Sequence, residues 1–412
     1  MSVVSDLQES QQLTPVAQYD VIVVGAGPYG LTTAAHLLAK GLNVAVFGKP
    51  MELWARHMPP GMYLRSHWWA TSLSDPQKKY TFARYLKMKN INNPYPVPIQ
   101  LFLDYALWFQ RNAVPNVDET YVTSVKRQNE RFIVTLEDGR VVQATSVVMA
   151  IGVYYFGRWP QEFRGFSKDL VSHAFDNGDF SGFEGKKIMV VGGGQSAVEY
   201  SALLLEEGKA ADVHLVVRRA INWLPRDRHN ERTLWEKIQA PSAGIAPGWE
   251  NWVLEYIPYL FYRFAQDRKD RFISSNYQAA ASHWLRERVL GEGKVKVHEH
   301  TTIKELTERD GKLDVSLSDG QQVQIDHLLL STGYEVKMKN LSMIDPSLLV
   351  QIKEDQQIPV LSHWFESSVP GLFFIGLSSV RAFGPLYRFV VGAKAAGKRA
   401  AAGAARYVAQ HK

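Results

Sequence analysis

Two strand–glycine-loop–helix beginnings and one long internal repeat predict an α/β chain of two nested three-layer lobes, each with a β-hairpin excursion. The beginnings lie at residues 19–30 and 187–197, and the repeat sets the stretch from Phe132 against the stretch from Leu313. A length of 412 residues leaves room for both lobes, and 46% hydrophobic with 21% charged residues suits two packed cores.

The first beginning reads Tyr19-Asp20-Val21-Ile22-Val23-Val24-Gly25-Ala26-Gly27-Pro28-Tyr29-Gly30. A β-branched strand runs into glycines spaced G-x-G-x-x-G, and residues 31–40 continue as a helix. Gly25 permits the tight turn, Gly27 lets backbone approach a pyrophosphate, and Gly30 lets helix and strand pack closely. The amides at the helix start then face the phosphate charge. A further strand at residues 43–47 completes a Rossmann-like dinucleotide-binding unit.

The second beginning reads Lys187-Ile188-Met189-Val190-Val191-Gly192-Gly193-Gly194-Gln195-Ser196-Ala197, with Ala197 in the place of the third glycine. Its next strand, residues 212–217, ends in Arg218-Arg219. An acidic residue there would hold a free ribose 2′-hydroxyl, whereas arginine suits a 2′-phosphate, so NADP is expected over NAD. The competing reading of the pair is plain surface charge.

The repeat aligns without gaps at an offset of 181 residues: Val134/Val315, Leu136/Leu317, Asp138/Asp319, Gly139/Gly320, Val142/Val323, Gln143/Gln324 and Gly152/Gly333 coincide. Each copy reads as a hairpin with an Asp-Gly turn followed by an apolar strand ending in glycine.

Composition narrows the function. The chain has no cysteine, which removes disulfides, thiolate metal sites and cysteine nucleophiles, and no metal site is expected. Its 47 Lys and Arg against 41 Asp and Glu leave a formal net charge of +6, mild for this length and without the aromatic-interleaved basic stripe of nucleic-acid binding. Residues 1–18 are polar and lack the basic and apolar stretches of a leader, so a flexible arm is expected there. No apolar run of about 18 residues occurs, so a cytoplasmic protein without a transmembrane segment is expected.

On these motifs the sequence resembles the two-dinucleotide-binding-domain flavoproteins, and within them the group B flavin-dependent monooxygenases. That family is related to the flavin-containing, Baeyer–Villiger and N-hydroxylating monooxygenases, and the likeness runs from about Tyr19 to Ala402. Ala150-Ile151-Gly152 and Ser331-Thr332-Gly333-Tyr334 stand where the family has its Ala-Thr-Gly linkers. The stretch from Pro370 to Gly376 is similar to the late FAD-contacting strand, and that from Gly384 to Arg388 to the helix closing over the flavin ring. Phe163-Arg164-Gly165 with His173 resembles the F-x-G-x-x-x-H fingerprint, with seven residues between Gly and His where the family has three. Residues 61–86 look like the flavin-side segment of ornithine and lysine N-hydroxylases, but Trp68-Trp69 stand where that segment carries a polar or charged residue. Phe47-Gly48-Lys49 also departs from the family, which places a Glu there for the FAD ribose; Glu52 is the nearest substitute.

The resemblance implies an FAD-binding domain at residues 19–164 and 332–412 and an NADPH-binding domain at 165–331 carrying an aromatic helical insertion at 223–290. It assigns to FAD Gly25, Gly27, Pro28, Tyr29, Gly30, Glu52, Trp54, Met62, Arg65, Ser66, Trp69, Val125, Ala150, Gly152, Gly376, Gly384 and Pro385. To NADP it assigns Gly192, Gly194, Gln195, Ser196, Arg218, Arg219, Thr332 and Gly333. Arg65 and His67 are the catalytic candidates, for charge balance and proton relay; a packed histidine is the competing reading of His67. The implied reaction reduces FAD with NADPH, forms a C4a-(hydro)peroxyflavin with O2 and oxygenates nitrogen, sulfur or a carbonyl of a small molecule. An NADPH oxidase or reductase without oxygenation, and a non-catalytic flavin-binding sensor, are the alternatives.

The insertion crowds Trp249, Trp252, Tyr256, Tyr259, Phe261, Tyr262 and Phe264 into a partly helical stretch punctuated by prolines. Ordinary packing, a substrate pocket on the NADPH lobe, a homodimer interface and a membrane-surface contact are all open for it. The Ala-rich stretch at residues 392–410 reads as a final helix of the first lobe.

Overall fold

The computed structural model describes residues 17–226, 231–244, 246–276, 278–291 and 294–411, so the expected N-terminal arm lies outside the described residues except at Ala17 and Gln18. The expected α/β class is found. In the first lobe β1 (Gln18–Val24) is apolar and almost wholly buried at residues 21–24, as a strand covered on both faces must be. Helix α1 (Pro28–Leu38) follows with proline in its first turn. β1 pairs in parallel with β2 (Val44–Phe47), which pairs with the short β3 (Val117–Asp118). β4 (Val122–Gln128) and β5 (Arg131–Leu136) form an antiparallel excursion that returns through β6 (Val141–Met149). β6 is parallel to β1; its first half pairs with β5 and its second half with the late strand Leu372–Phe374.

In the second lobe, β7 (Val171–His173), β8 (Lys187–Val191), β9 (Asp212–Val217) and β10 (Lys296–Glu299) belong to one all-parallel sheet, with α2 (Gln195–Glu206) between β8 and β9. β11 (Ile303–Arg309), β12 (Lys312–Leu317) and β13 (Gln322–Ile325) make the second excursion, and β14 (His327–Leu330) returns between β8 and β7. The repeat is visible atom by atom at the two turns. The Arg140 amide donates to Asp138 Oδ1 at 3.0 Å, and the Gln321 amide donates to Asp319 Oδ1 at 3.0 Å. Gly139 and Gly320 are both left-handed, with φ of 86° and 90°. The copies differ where the return begins: β13 and β14 are separated at Asp326, whose carboxylate accepts the Lys187 amide at 2.8 Å.

The Ala-rich stretch forms the helix Gly392–Gln410, buried through Ala393, Ala396, Ala400 and Ala404. It packs tightly on α1: a Cβ at Gly397 would lie 2.6 Å from Thr32 Cγ2.

Of the readings open for the insertion, ordinary packing is the one its contacts show. Its helices α3 (Trp249–Tyr256) and α4 (Gln266–Asn276) belong with the first lobe's closing segment rather than the second lobe. Tyr259 Oη donates to Ala395 O at 2.9 Å, Tyr262 Oη donates to Leu361 O at 3.2 Å, and the Tyr262 ring stacks on Phe383 at 5.0 Å. Arg381 holds Asp270 through two nitrogens at 3.0 and 3.2 Å. Tyr262 thus finds its apolar partner at Phe383, whereas Trp249, Trp252 and Tyr256 contact one another, and the ends of the insertion stay on the second lobe through the Trp223–Ala281 bridge. The outward face of α3 and α4 bounds an open, mostly apolar hollow of about 450 Å³. Among the described residues no helix is long and apolar enough to cross a membrane.

Candidate cofactor and active site

The first glycine loop is held from three sides. The Gly25 amide donates to Phe47 O at 2.8 Å, the Met51 amide to Ala26 O at 3.1 Å and the Ala150 amide to Val24 O at 2.8 Å. A Cβ at Gly30 would lie 1.8 Å from Gly25 O, and one at Gly25 would lie 2.5 Å from Ala150 O, so neither position has room for a side chain. Gly27 is the opposite case, since a Cβ there would meet nothing within 4 Å. α1 has no side-chain cap and no acid in its first turn, which leaves its leading amides to an anion. Glu52 opens a short helix (Glu52–Arg56) hung directly from this loop, and Trp54 packs edge-on against Phe102 at 4.8 Å.

Tyr29 draws the far end of the chain to the same place. Its single hydroxyl proton is shared between Tyr387 O at 2.9 Å and Phe389 O at 2.8 Å, and Gly376 lies against its ring. Gly384 and Pro385 begin the turn that this tyrosine anchors, with Phe261 of the insertion packed against Gly384. Across from them the Arg65 guanidinium lies 5.4 Å from the Phe389 ring. His67 is sandwiched between Trp69 at 5.4 Å and Tyr95 at 4.4 Å, both stacked. Ser66 sits half-buried between Arg65 and His67, while Met62 O accepts the Ile99 amide at 3.0 Å. Val125 stands apart. It is fully buried, its amide donates to Met343 O at 2.7 Å and its carbonyl accepts the Asp345 amide at 2.9 Å, so it presents no open face to a ligand.

The second loop repeats the first with changes. A Cβ at Gly192 would lie 2.4 Å from Ser331 O, but Ala197 is accommodated where Gly30 had no space. α2 also lacks a side-chain cap and a first-turn acid. Ala279, from the end of the insertion, lies over Gly194. The Gln195 side chain is engaged within the protein, accepting the Ser282 amide at 2.9 Å and donating to Glu199 Oε2 at 3.2 Å. Ser196 is half-buried in the first turn, and Arg218 and Arg219 are exposed just past β9, with no ion pair to a described residue. Thr332 and Gly333 lie at the crossing between lobes rather than on the loop. The Arg158 amide donates to Gly333 O at 2.9 Å and the Thr332 hydroxyl donates to Arg158 O, while Gly152 opens the strap that leads there. His173 is buried at this crossing among the rings of Trp159, Phe175 and Tyr334, and burial holds its imidazole down near 4.

Residues 22–238 and 263–376 match the family described as pyridine nucleotide-disulphide oxidoreductase. The chain belongs to that family. It is an oxidoreductase with FAD and NADP(H) as its cofactors, and two uncapped helix starts behind glycine loops fit two dinucleotides. Indole-3-pyruvate monooxygenase YUCCA1 of Oryza sativa subsp. japonica is 24% identical over 390 residues, covering 87% of this chain and 86% of that protein. The ferredoxin–NADP reductase of Thermus thermophilus is 28% identical over 235 residues, covering 55% of this chain and 59% of the reductase. The fold is that of the ornithine N-hydroxylase of Kutzneria sp. 744, with a TM-score of 0.74 and 16% identity over 94% of this chain and 99% of that one. The sequence contains no cysteine, so it carries no redox-active thiol pair of its own.

One buried group of this oxidoreductase escapes the motif reading. Glu199, fully buried on α2, accepts the Tyr63 amide at 2.7 Å and so joins the second lobe to the segment at residues 61–86. Burial pushes its carboxyl up to about 7. The sequence carried little signal for it: Ala202 and Leu203 follow Glu199 in helical register, but Gln195 and Ser196 precede it and Glu206 follows on the same face.

Proposed function

We propose that the chain is an FAD- and NADPH-dependent monooxygenase that oxygenates a small organic molecule at nitrogen, sulfur or a carbonyl, working in the cytoplasm. The observation that carries this reading is a cysteine-free, aromatic-walled junction next to the first of two uncapped glycine-loop helices. The near full-length likeness to an indole-3-pyruvate monooxygenase supports it.

Bound FAD supplies the chemistry, taking hydride from NADPH and passing electrons to O2. Residues 25–30 with Gly376 and the turn at Gly384 hold FAD in the lobe formed by residues 19–164 and 332–412. Gly192, Gly194 and Ser196 hold NADPH in the lobe at 165–331, and Arg218 and Arg219 recognise its 2′-phosphate. Arg65 sets positive charge beside the closing segment, where anionic charge develops. The Trp69–His67–Tyr95 stack excludes water, whose entry would divert the reaction to peroxide. His67, held by its ring faces, keeps its nitrogens at the edge of the stack and carries a proton there. Trp68 and Trp69 favour a less polar substrate than an amino acid.

The test reduces the holoenzyme with NADPH without air, mixes it with O2 and compares peroxide release with product formation on a panel of amines, sulfides and ketones. Oxygenated product with peroxide well below NADPH consumed supports the reading. Stoichiometric peroxide with every compound overturns it in favour of an NADPH oxidase or reductase, the reading that the ferredoxin–NADP reductase match favours.

A further inference from the structure

A continuous polar chain links the two lobes through a single carboxylate. Glu199 is 0% exposed; its Oε1 accepts the Tyr63 amide at 2.7 Å and its Oε2 accepts Gln195 Nε2 at 3.2 Å. Gln195 Oε1 accepts the Ser282 amide at 2.9 Å, and three residues before Ser282 the chain lies over Gly194. One end of the chain is therefore the residue directly after the second glycine loop, and the other is two residues before Arg65. The surroundings are charged and tightly built. Arg288, bound to Glu206, approaches from the helix Arg286–Leu290, and its Nη1 is buried without a partner among the described residues. Trp284 stacks edge-on against Tyr63 at 5.5 Å, and the phenols of Tyr63 and Tyr200 complete the shell.

We propose that Glu199 is a positioning residue that takes up a proton when NADP(H) occupies the second glycine loop and thereby releases Gln195 toward the nucleotide while keeping Tyr63 in place. The inference rests on the assignment of that loop to NADP(H). The carboxylate accepts from both sides, and a proton arriving from solvent at Oε2 turns an acceptor toward the Gln195 N–H, which is a donor. The protonated oxygen is a much weaker acceptor and its O–H competes with the Gln195 N–H, so the Gln195 bond is given up first, whereas Oε1 still accepts from Tyr63. Phosphate charge arriving one helical turn away favours the neutral carboxyl. Arg288 opposes protonation, Glu206 favours it, and burial already holds the group near neutrality.

The test is isothermal titration of NADP+ into the FAD-loaded protein at about pH 7.5 in buffers of different ionisation enthalpy, comparing wild type with Glu199→Gln. The wild type is expected to take up a fraction of a proton per site, and Glu199→Gln to lose that uptake while still binding NADP+. Equal uptake in the two proteins overturns the proposal. Should Glu199→Gln fail to fold, Gln195→Met removes the donor and leaves the acid already more protonated, so its uptake must fall below wild type; undiminished uptake again overturns the proposal. Failure of the wild type to bind NADP+ is a different result, removing the nucleotide assignment and this inference with it.

Discussion

Replacing Gly27 with alanine separates the fold from the cofactor. The Gly27 backbone is extended at φ −81°, which any residue adopts, and the new methyl group meets no protein atom within 4 Å. A Gly→Ala change at a compatible position restricts the unfolded chain and is worth about 0.4–1 kcal/mol to the fold. The FAD-free variant is therefore expected to melt at or slightly above the wild-type temperature. If the pyrophosphate lies against this loop, the same methyl overpacks the complex by about 1–3 kcal/mol, which is roughly 5- to 150-fold in Kd. Thermal melts of deflavinated protein and fluorescence titration with FAD read the two effects separately. An unchanged FAD affinity would refute the placement of the cofactor, and a large drop in the apo-protein melt would refute the claim of empty space.

At Gly30 the expectation reverses. Its added methyl lies 1.8 Å from Gly25 O, so Gly30→Ala should cost about 1–3 kcal/mol or more in the apo-protein itself, measured by denaturant unfolding. Arg218→Ala with Arg219→Ala should lower the NADPH over NADH preference in steady-state kinetics by about tenfold or more, and an unchanged ratio would move the phosphate site elsewhere. Trp69→Ala opens one side of the His67 stack and should raise the fraction of NADPH electrons recovered as peroxide, measured by a peroxide assay beside NADPH consumption. The Glu199 carboxyl moves from an ordinary 4.5 to about 7 on folding, so its favourable contribution is complete below about pH 4.5 and fades as pH rises through 7. That displacement corresponds to about 3 kcal/mol, and the stability gap between wild type and Glu199→Gln should therefore change by that order between about pH 5 and 8 in chemical denaturation.

The glycine loops and the Asp-Gly hairpins were legible because each is fixed by local backbone demands that particular residues advertise. Gly30 and Ala197 even encode the difference in packing that the structure shows. The convergence of Tyr29 with Tyr387 and Phe389 was legible only through family resemblance, since more than 350 residues separate the partners. The insertion's surroundings stayed open for a physical reason: a run of aromatic residues states that partners exist but carries no information on which surface supplies them. Phe383 and Arg381, which capture it, show nothing unusual in their own sequence context. Gln195 was read as a nucleotide ligand from its position, while its engagement by Ser282 and Glu199 depends on chain segments no local pattern connects.

The shared return strand Val141–Met149 also imposes an order on manufacture. The inserted lobe has all of its own parallel strands once His327–Leu330 has been made, whereas Val147, Val148 and Met149 stay half-partnered until Leu372–Phe374 arrives. A ribosome adding residues from the N-terminus therefore finishes the inner sheet while the outer one still shows a raw apolar edge. The lobe begun first is closed last, and a stall or cut between those two strands leaves a nascent chain whose exposed edge is the natural target of chaperones and of aggregation.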